Sequence, residues 1–366
     1  MAQSINSNVV HAQWANRPDD QRFLTLDSLH QKVLARRASS SEHSIALDVC
    51  RVYPTQAGQG DEIEIIDTSG QSFGQLTNFA FGQLCARGAV PAGYVRKLPP
   101  IMASMCLQWG LEHKETVNAE GNDAKLLVRT NGEVDVAAVT GPNYGRIYDA
   151  EITGAMLANI DQNVWKVPAA SYSKSDPLRA TTLYASDRDV FIFLVNEAAG
   201  IDADGGTIKK GFYAWNSEVG SATFGIAMFL YDFVCDNRII WGQREFKELK
   251  IRHTAGGPHR FVASAVPQIQ SYIDSSVSGI EQTIRAAKAR EVAKDPAGVT
   301  EWLKARGFTT PQARTAQARA AEDPRNYNPR SIWGLVQGLT DAAHDIKNTD
   351  DRTALEAKAG SLLDLV

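Results

Sequence analysis

The densest run of side chains able to grip a charged partner lies between Arg238 and Arg260. There Arg238, Arg244, Lys247, Lys250, Arg252 and Arg260 stand against only Glu245 and Glu248, in a chain whose formal net charge is −4. His253 and His259 lie in the same stretch, and Trp241 and Phe246 are interleaved. Guanidinium and ammonium groups neutralise phosphates, while aromatic faces stack on unpaired bases. The chemistry implied is capture of a single-stranded nucleic acid, with a merely solvated basic face as the alternative. Arg129, Tyr144 and Arg146, grouped around one hairpin, form a second set of this kind. The nucleic-acid-binding candidates are therefore Arg129, Tyr144, Arg146, Arg238, Arg244, Lys247, Arg252 and His253.

Reactive chemistry finds less support. The sequence has no Gly-rich phosphate loop ending in Gly-Lys-Ser/Thr, no dinucleotide-binding G-x-G-x-x-G and no G-x-S-x-G elbow. His253 and His259 are separated by a Gly-Gly-Pro turn with no cysteine beside them, which is a poor zinc pattern. Asp187/Asp189 and Asp202/Asp204 sit at predicted turns, where aspartate serves as a local hydrogen-bond acceptor. No catalytic residue, metal or cofactor is expected, and a non-enzymatic role is favoured over an enzyme of unrecognised type. Residues 281–320 carry eight Lys or Arg against four acidic residues, a pattern that solvated Ala- and Arg-rich helices show without binding anything.

The elements that position these residues follow from patterning. Thr25 can cap a helix over 26–37, with Leu26, Leu29, Val33 and Leu34 on one face. The stretch 38–44 reads as a polar loop and 45–50 as a half-buried strand partnered by 62–67. Thr77 caps a helix ending at Gly88, Pro91 opens a short one, and Pro99-Pro100 open a longer one. Asn131-Gly132 joins 125–130 and 133–139 in a hairpin, because this pair tolerates positive φ. Residues 149–160 read as helix, and 163–168, 181–186, 189–196 and 211–216 as strands, with a turn at 202–206. The apolar stretch 222–235 is read as a buried strand on its Thr, Val and aromatic content. Beyond Phe261 strand signals vanish, and Pro267, Pro296, Pro311 and Pro324 divide a helical tail.

Composition sets the frame. The 366 residues are 43% hydrophobic and 22% charged, ordinary for a globular chain that buries roughly 75% of its extended surface. Cys50, Cys85, Cys106 and Cys235 form no C-x-x-C pair and lie among apolar neighbours, as buried thiols in a reducing compartment do. The N-terminus lacks a signal-peptide pattern, and the longest apolar run is interrupted by Asp232. A cytoplasmic protein without membrane contact is expected. Its division is read as a flexible arm over 1–20, an α+β core over 21–260 and a helical region over 261–366.

Three stretches resemble the phage and plasmid-related proteins of the domain of unknown function 932 family. The first is 126–129 (LLVR) followed by 140–149 (TGPNYGRIYD), which matches Arg129, Tyr144 and Asp149 to the family's arginine-bearing strand, tyrosine and helix-opening aspartate. The second is 211–220 (GFYAWNSEVG) continuing to 233–238 (FVCDNR), where Arg238 departs from the glycine common in the family. The third is 331–344 (SIWGLVQGLTDAAH), similar to a Trp-containing closing helix. The resemblance spans roughly 70–365 and is densest over 125–253. It implies an origin in a bacteriophage, prophage or plasmid, and no particular activity.

Read from the residues, Asn216, Ser217 and Gly220 suit a strand end that needs backbone satisfied, and Cys235-Asp236-Asn237 suits the turn after a buried strand. The expected fold is α+β, a mixed and mostly antiparallel sheet packed by helices and followed by a helical C-terminal region. The expected function is single-stranded nucleic-acid binding or annealing for a mobile element. The rival is a protein-interaction factor engaging a host or phage protein, and a homo-oligomer is compatible with either.

Overall fold

The structure, a computed structural model, describes residues 18–55, 63–113, 123–167, 181–201, 208–232, 237–239, 249–274, 278–346 and 349–366. The turn expected at 202–206 lies outside these residues, as do positions 1–17 of the expected arm.

After β1 (Arg22–Phe23), Thr25 starts α1 (Leu26–Ala38): its hydroxyl accepts from the Ser28 N–H at 3.1 Å, and the Ser28 hydroxyl accepts from the Thr25 N–H. Leu26, Leu29 and Val33 are buried, whereas Leu34 is exposed. Strands β2 (Ser40–Ala46), β3 (Arg51–Pro54), β4 (Ile63–Ile66) and β5 (Ser72–Leu76) lead to α2 (Asn78–Arg87), α3 (Ala92–Val95) and α4 (Pro100–His113). The hairpin β6 (Asp123–Asn131) and β7 (Glu133–Thr140) then completes a six-stranded sheet of order β2-β6-β7-β5-β4-β3. Only the β5–β7 pairing is parallel. Gly132 reverses the hairpin at φ +87°, a conformation that glycine adopts at little cost. The core beneath is built from Ile65, Leu84, Leu107, Leu126 and Val136.

Here the structure corrects the sequence reading. The segment expected as a polar loop is β2, and the expected strand over 45–50 is largely the turn between β2 and β3. The reason is position: β2 lies at the sheet edge, where its backbone pairs with β6 while Ser, Glu and His side chains stay in reach of water.

The second sheet takes β1 and everything after α5 (Asp149–Asn159): β8 (Trp165–Lys166), β9 (Leu183–Ala185), β10 (Val190–Ile201), β11 (Ile208–Asn216), β12 (Phe224–Asp232), β13 (Asn237–Ile239) and β14 (Leu249–Ile251). Its order is β1-β9-β10-β11-β12-β13, with β14 on β12 and β8 on β10, antiparallel throughout. β12 is the buried strand expected from its composition, apolar on both faces. Trp215 lies across the ladder from Gly225, where a Cβ would come within 2.0 Å of the indole, so only glycine fits.

One face of this sheet packs against α1, α5 and a continuous helical stretch: α6 (Gly257–Arg260), a π turn (Phe261–Ala265) and α7 (Val266–Asp274). Pro267 opens no new segment. It follows the π turn, and the helix runs on through it.

The remaining helices α8 (Ser278–Ala289), α9 (Pro296–Lys304), α10 (Thr310–Glu322), α11 (Ile332–Ala342) and α12 (Thr349–Gly360) form a bundle that meets the sheet through Ile208 and Leu230. Asp295, Thr309 and Ser331 cap α9, α10 and α11. α11 is the buried centre, with Trp333, Leu335, Val336 and Leu339 wholly enclosed. Gly338 lets it close on α10, since a Cβ there would lie 2.0 Å from the Ala316 carbonyl oxygen. The fold is α+β with a helical C-terminal region. Among the described residues no helix is long and apolar enough to cross a membrane.

Candidate functional site

Four elements end at one point between the two sheets. α1 brings Arg36, β6 brings Arg129, the start of α5 brings Asp149, and the end of β11 brings Asn216, followed by Ser217 and Glu218. Arg129 donates to the Glu218 carboxylate at 2.7 Å, and the Asp149 N–H donates to its other oxygen at 2.9 Å. That second bond occupies a backbone donor that every helix start leaves unpaired. Asn216 Nδ2 donates to Asp149 Oδ1 at 2.7 Å and to the Ile147 carbonyl at 2.9 Å. Arg36 donates to the second Asp149 oxygen and to the Ser186 carbonyl. Arg146 reaches Glu42 at 3.0 Å and donates to the Glu218 backbone carbonyl, while Lys125 approaches Glu42 at 3.3 Å.

Each oxygen of Asp149 and Glu218 thus has its own donor, and Arg36, Arg129, Arg146 and Lys125 surround Asp149, Glu218 and Glu42. Burial works against ionising Glu218, but Arg36 and Arg129 outweigh it and hold the carboxyl below its ordinary range. Burial pushes Asp149 upward, and the Glu218 charge adds to this, against the opposing pull of Arg36. A buried, hydrogen-bonded ionic set of this kind is suited to fixing chain segments. Within it Arg36 Nε, Arg129 Nε and Asn216 Oδ1 are buried without a hydrogen-bond partner. Among the described residues, no group of three His, Cys, Asp or Glu could hold a metal.

The structure brings four of the sequence candidates together at this junction. Arg129 and Arg146 are buried in it at 8% and 5% exposure, so they act on the surface only through what they hold. Tyr144 donates its hydroxyl to the Ser217 carbonyl at 3.1 Å, and its ring stacks on His253 with centroids 5.0 Å apart. The Arg146 guanidinium lies over the same tyrosine ring at 5.0 Å. His253 is itself buried, and burial drops its pKa to about 4, so it is neutral at physiological pH.

Arg252, next in the chain, is exposed. Arg238 lies on β13, but its side chain falls outside the described residues, as do Arg244 and Lys247 entirely. Arg36 and Glu42 escaped the sequence reading. For Arg36 a signal existed: it continues the Leu26, Leu29, Val33 face of α1, where an arginine must be buried and paired.

The junction anchors a surface loop. Tyr144 forms a bridge to Thr254, and the Gly145 N–H donates to the His253 carbonyl at 3.2 Å. The backbones approach so closely that a Cβ on Gly145 would lie 2.0 Å from the Thr254 carbonyl oxygen. From β14 into α6 the chain then exposes Lys250, Arg252, His259 and Arg260, and positions 249–260 contain no acidic residue. Arg260 braces the loop by donating to the Thr254 hydroxyl at 2.6 Å. On another side of the junction, a cleft of ≈ 290 Å³ is lined by Lys32, Arg36, Arg129 and Arg188 together with Asp20, Asp135 and Asp187.

No curated protein and no solved structure matches the chain. A family model matches residues 178–359, a span that holds Asn216, Ser217, Glu218, the basic segment and most of the helical bundle. Arg129, Tyr144, Arg146 and Asp149 fall before that span and join it in space at the junction. Through residues 178–359 the chain belongs to the family described as Domain of unknown function (DUF932).

Proposed function

We propose that the protein binds single-stranded nucleic acid for a phage, prophage or plasmid, inside the host cell and without catalysing a reaction, in support of replication or strand annealing. The observation that carries this reading is the acid-free segment 249–260, with Lys250, Arg252, His259 and Arg260 exposed on a loop locked to the core. A loop whose backbone is already held to the core loses little backbone freedom on meeting a phosphate chain, which favours affinity. Lys250, Arg252 and Arg260 contact phosphate, and Arg238, Arg244 and Lys247 extend the same strip in the sequence. Arg129, Tyr144, Arg146 and His253 are positioning residues that hold the loop.

The test is fluorescence anisotropy of a labelled single-stranded oligonucleotide against a matched duplex, across a salt titration. Single strands release about 0.7 counterion per phosphate neutralised. The reading therefore expects Lys250→Glu, Arg252→Glu and Arg260→Glu together to flatten the salt slope by about 2. A second reading, a protein-interaction role, is favoured by one separate observation: the exposed apolar side of α4.

A further inference from the structure

Helix α4 is apolar nearly all round. Among its residues from Pro100 to His113, only Glu112 and His113 are of the Asp, Glu, Lys, Arg or His types. One side, with Ala103, Leu107 and Leu111, is buried in the core of the first sheet. The opposite side leaves Ile101, Met102, Met105 and Trp109 exposed at 56%, 50%, 65% and 64%. Tyr53, on the strand that α4 packs against, is also half exposed. Helices of this composition are normally covered on every side. Exposed large residues scattered singly need no explanation, whereas a continuous stripe does.

We propose that α4 packs against α4 of a second copy of this chain, antiparallel about a two-fold axis passing by Met105. The spacing of the stripe supports this. Ile101, Met105 and Trp109 recur every four residues and form one ridge, and Met105 is its midpoint. Antiparallel pairing about that midpoint sets Ile101 against the partner's Trp109, Met105 against its own equivalent, and the reverse. The result is the self-complementary contact that a two-fold interface requires.

Charge favours the same direction. Lys97 lies just before α4 and is exposed, while Glu112, ion-paired with Arg51 at 3.2 Å through one oxygen, lies in its last turn. Antiparallel pairing brings each lysine towards the partner's glutamate and opposes the helix dipoles. Parallel pairing would set like charges together. Trp109 is already stacked on His113 at 4.8 Å, a rigid anchor that sacrifices little freedom on contact. The stripe offers about 500 Å² per copy, or about 1,000 Å² in all, at the lower edge of specific interfaces. The dimer is therefore concentration-dependent. This inference is independent of the nucleic-acid reading.

Sedimentation equilibrium over micromolar to submillimolar concentrations tests it, with circular dichroism confirming that each variant folds. The full chain goes from monomer to dimer, and Trp109→Glu weakens association by about thirtyfold or more. Register is tested by crosslinking in a Cys106→Ser background. Met105→Cys forms a covalent dimer with itself, and Ile101→Cys couples to Trp109→Cys in a mixture but not to itself. A monomer at every concentration would overturn the proposal and leave the stripe to a different protein. So would a dimer indifferent to Trp109→Glu, or self-coupling of Ile101→Cys.

Discussion

At the scale of single residues, Glu218 is the side chain on which most depends. It receives Arg129 and the start of α5 through its carboxylate, and Arg146 through its backbone carbonyl. Removing a buried carboxylate leaves its guanidinium partners enclosed without a counter-charge. Glu218→Ala is therefore expected to lower unfolding free energy by about 3–5 kcal/mol, measured by urea denaturation.

His253 gives a prediction in pH. Its folded pKa, about 4, lies below the ordinary histidine value, so the unfolded chain binds the extra proton first. The associated stability is fully present above about pH 6.5 and is lost as pH falls towards the folded value, by about 3 kcal/mol in total. His253→Phe keeps an aromatic ring on Tyr144 and removes the titration. Urea midpoints across this window should fall with acid in the native protein and flatten in the variant.

These pairings were not legible from the sequence, and the reason is separation. Arg129 and Glu218 are 89 residues apart, and Arg36 and Asp149 are 113 apart, so nothing local marks them as partners. The family motifs singled out Arg129, Tyr144, Asp149 and Asn216 one at a time. Only the fold shows that they meet.

At the scale of elements, what was legible was what local chemistry determines. Thr25 and Thr77 cap the helices they were expected to cap, Gly88 ends one, and the hairpin forms where expected, though Gly132 alone reverses it and Asn131 stays in β6. β2 was illegible because an edge strand can be polar, so its pattern resembles a loop while its backbone pairs with β6. Close approaches were equally hidden, since a glycine in a sequence does not say what it touches. Two of them yield predictions. Gly145→Ala should push the 252–256 loop away from Tyr144, destabilising the fold by about 1–3 kcal/mol and weakening oligonucleotide binding in the same anisotropy assay. Gly338→Ala should separate α10 from α11 and lower the thermal midpoint by several degrees, without altering the salt dependence of binding.

At the scale of the whole molecule, two sheets are joined by a buried ionic junction, a helical bundle packs on the second through Ile208 and Leu230, and the loop the junction fixes carries exposed cations. A chain of net charge −4 can still present a positive surface, provided that surface is local. The acid-free run 249–260 is such a surface. The apolar side of α4, on the first sheet, offers a separate surface for a second copy. Occupation of both at once would place two basic loops on one dimer and raise the effective affinity for a long strand.

The central claim is that these exposed cations hold single-stranded nucleic acid. The most direct measurement is the affinity of a labelled single strand for the native protein and for the Lys250→Glu, Arg252→Glu, Arg260→Glu variant, at low salt and across a salt series. Binding should weaken steeply with salt in the native protein, and the variant should bind more weakly at low salt with a slope flatter by about 2, while both proteins fold alike. Absence of binding at low salt, or equal binding by the variant, would contradict it.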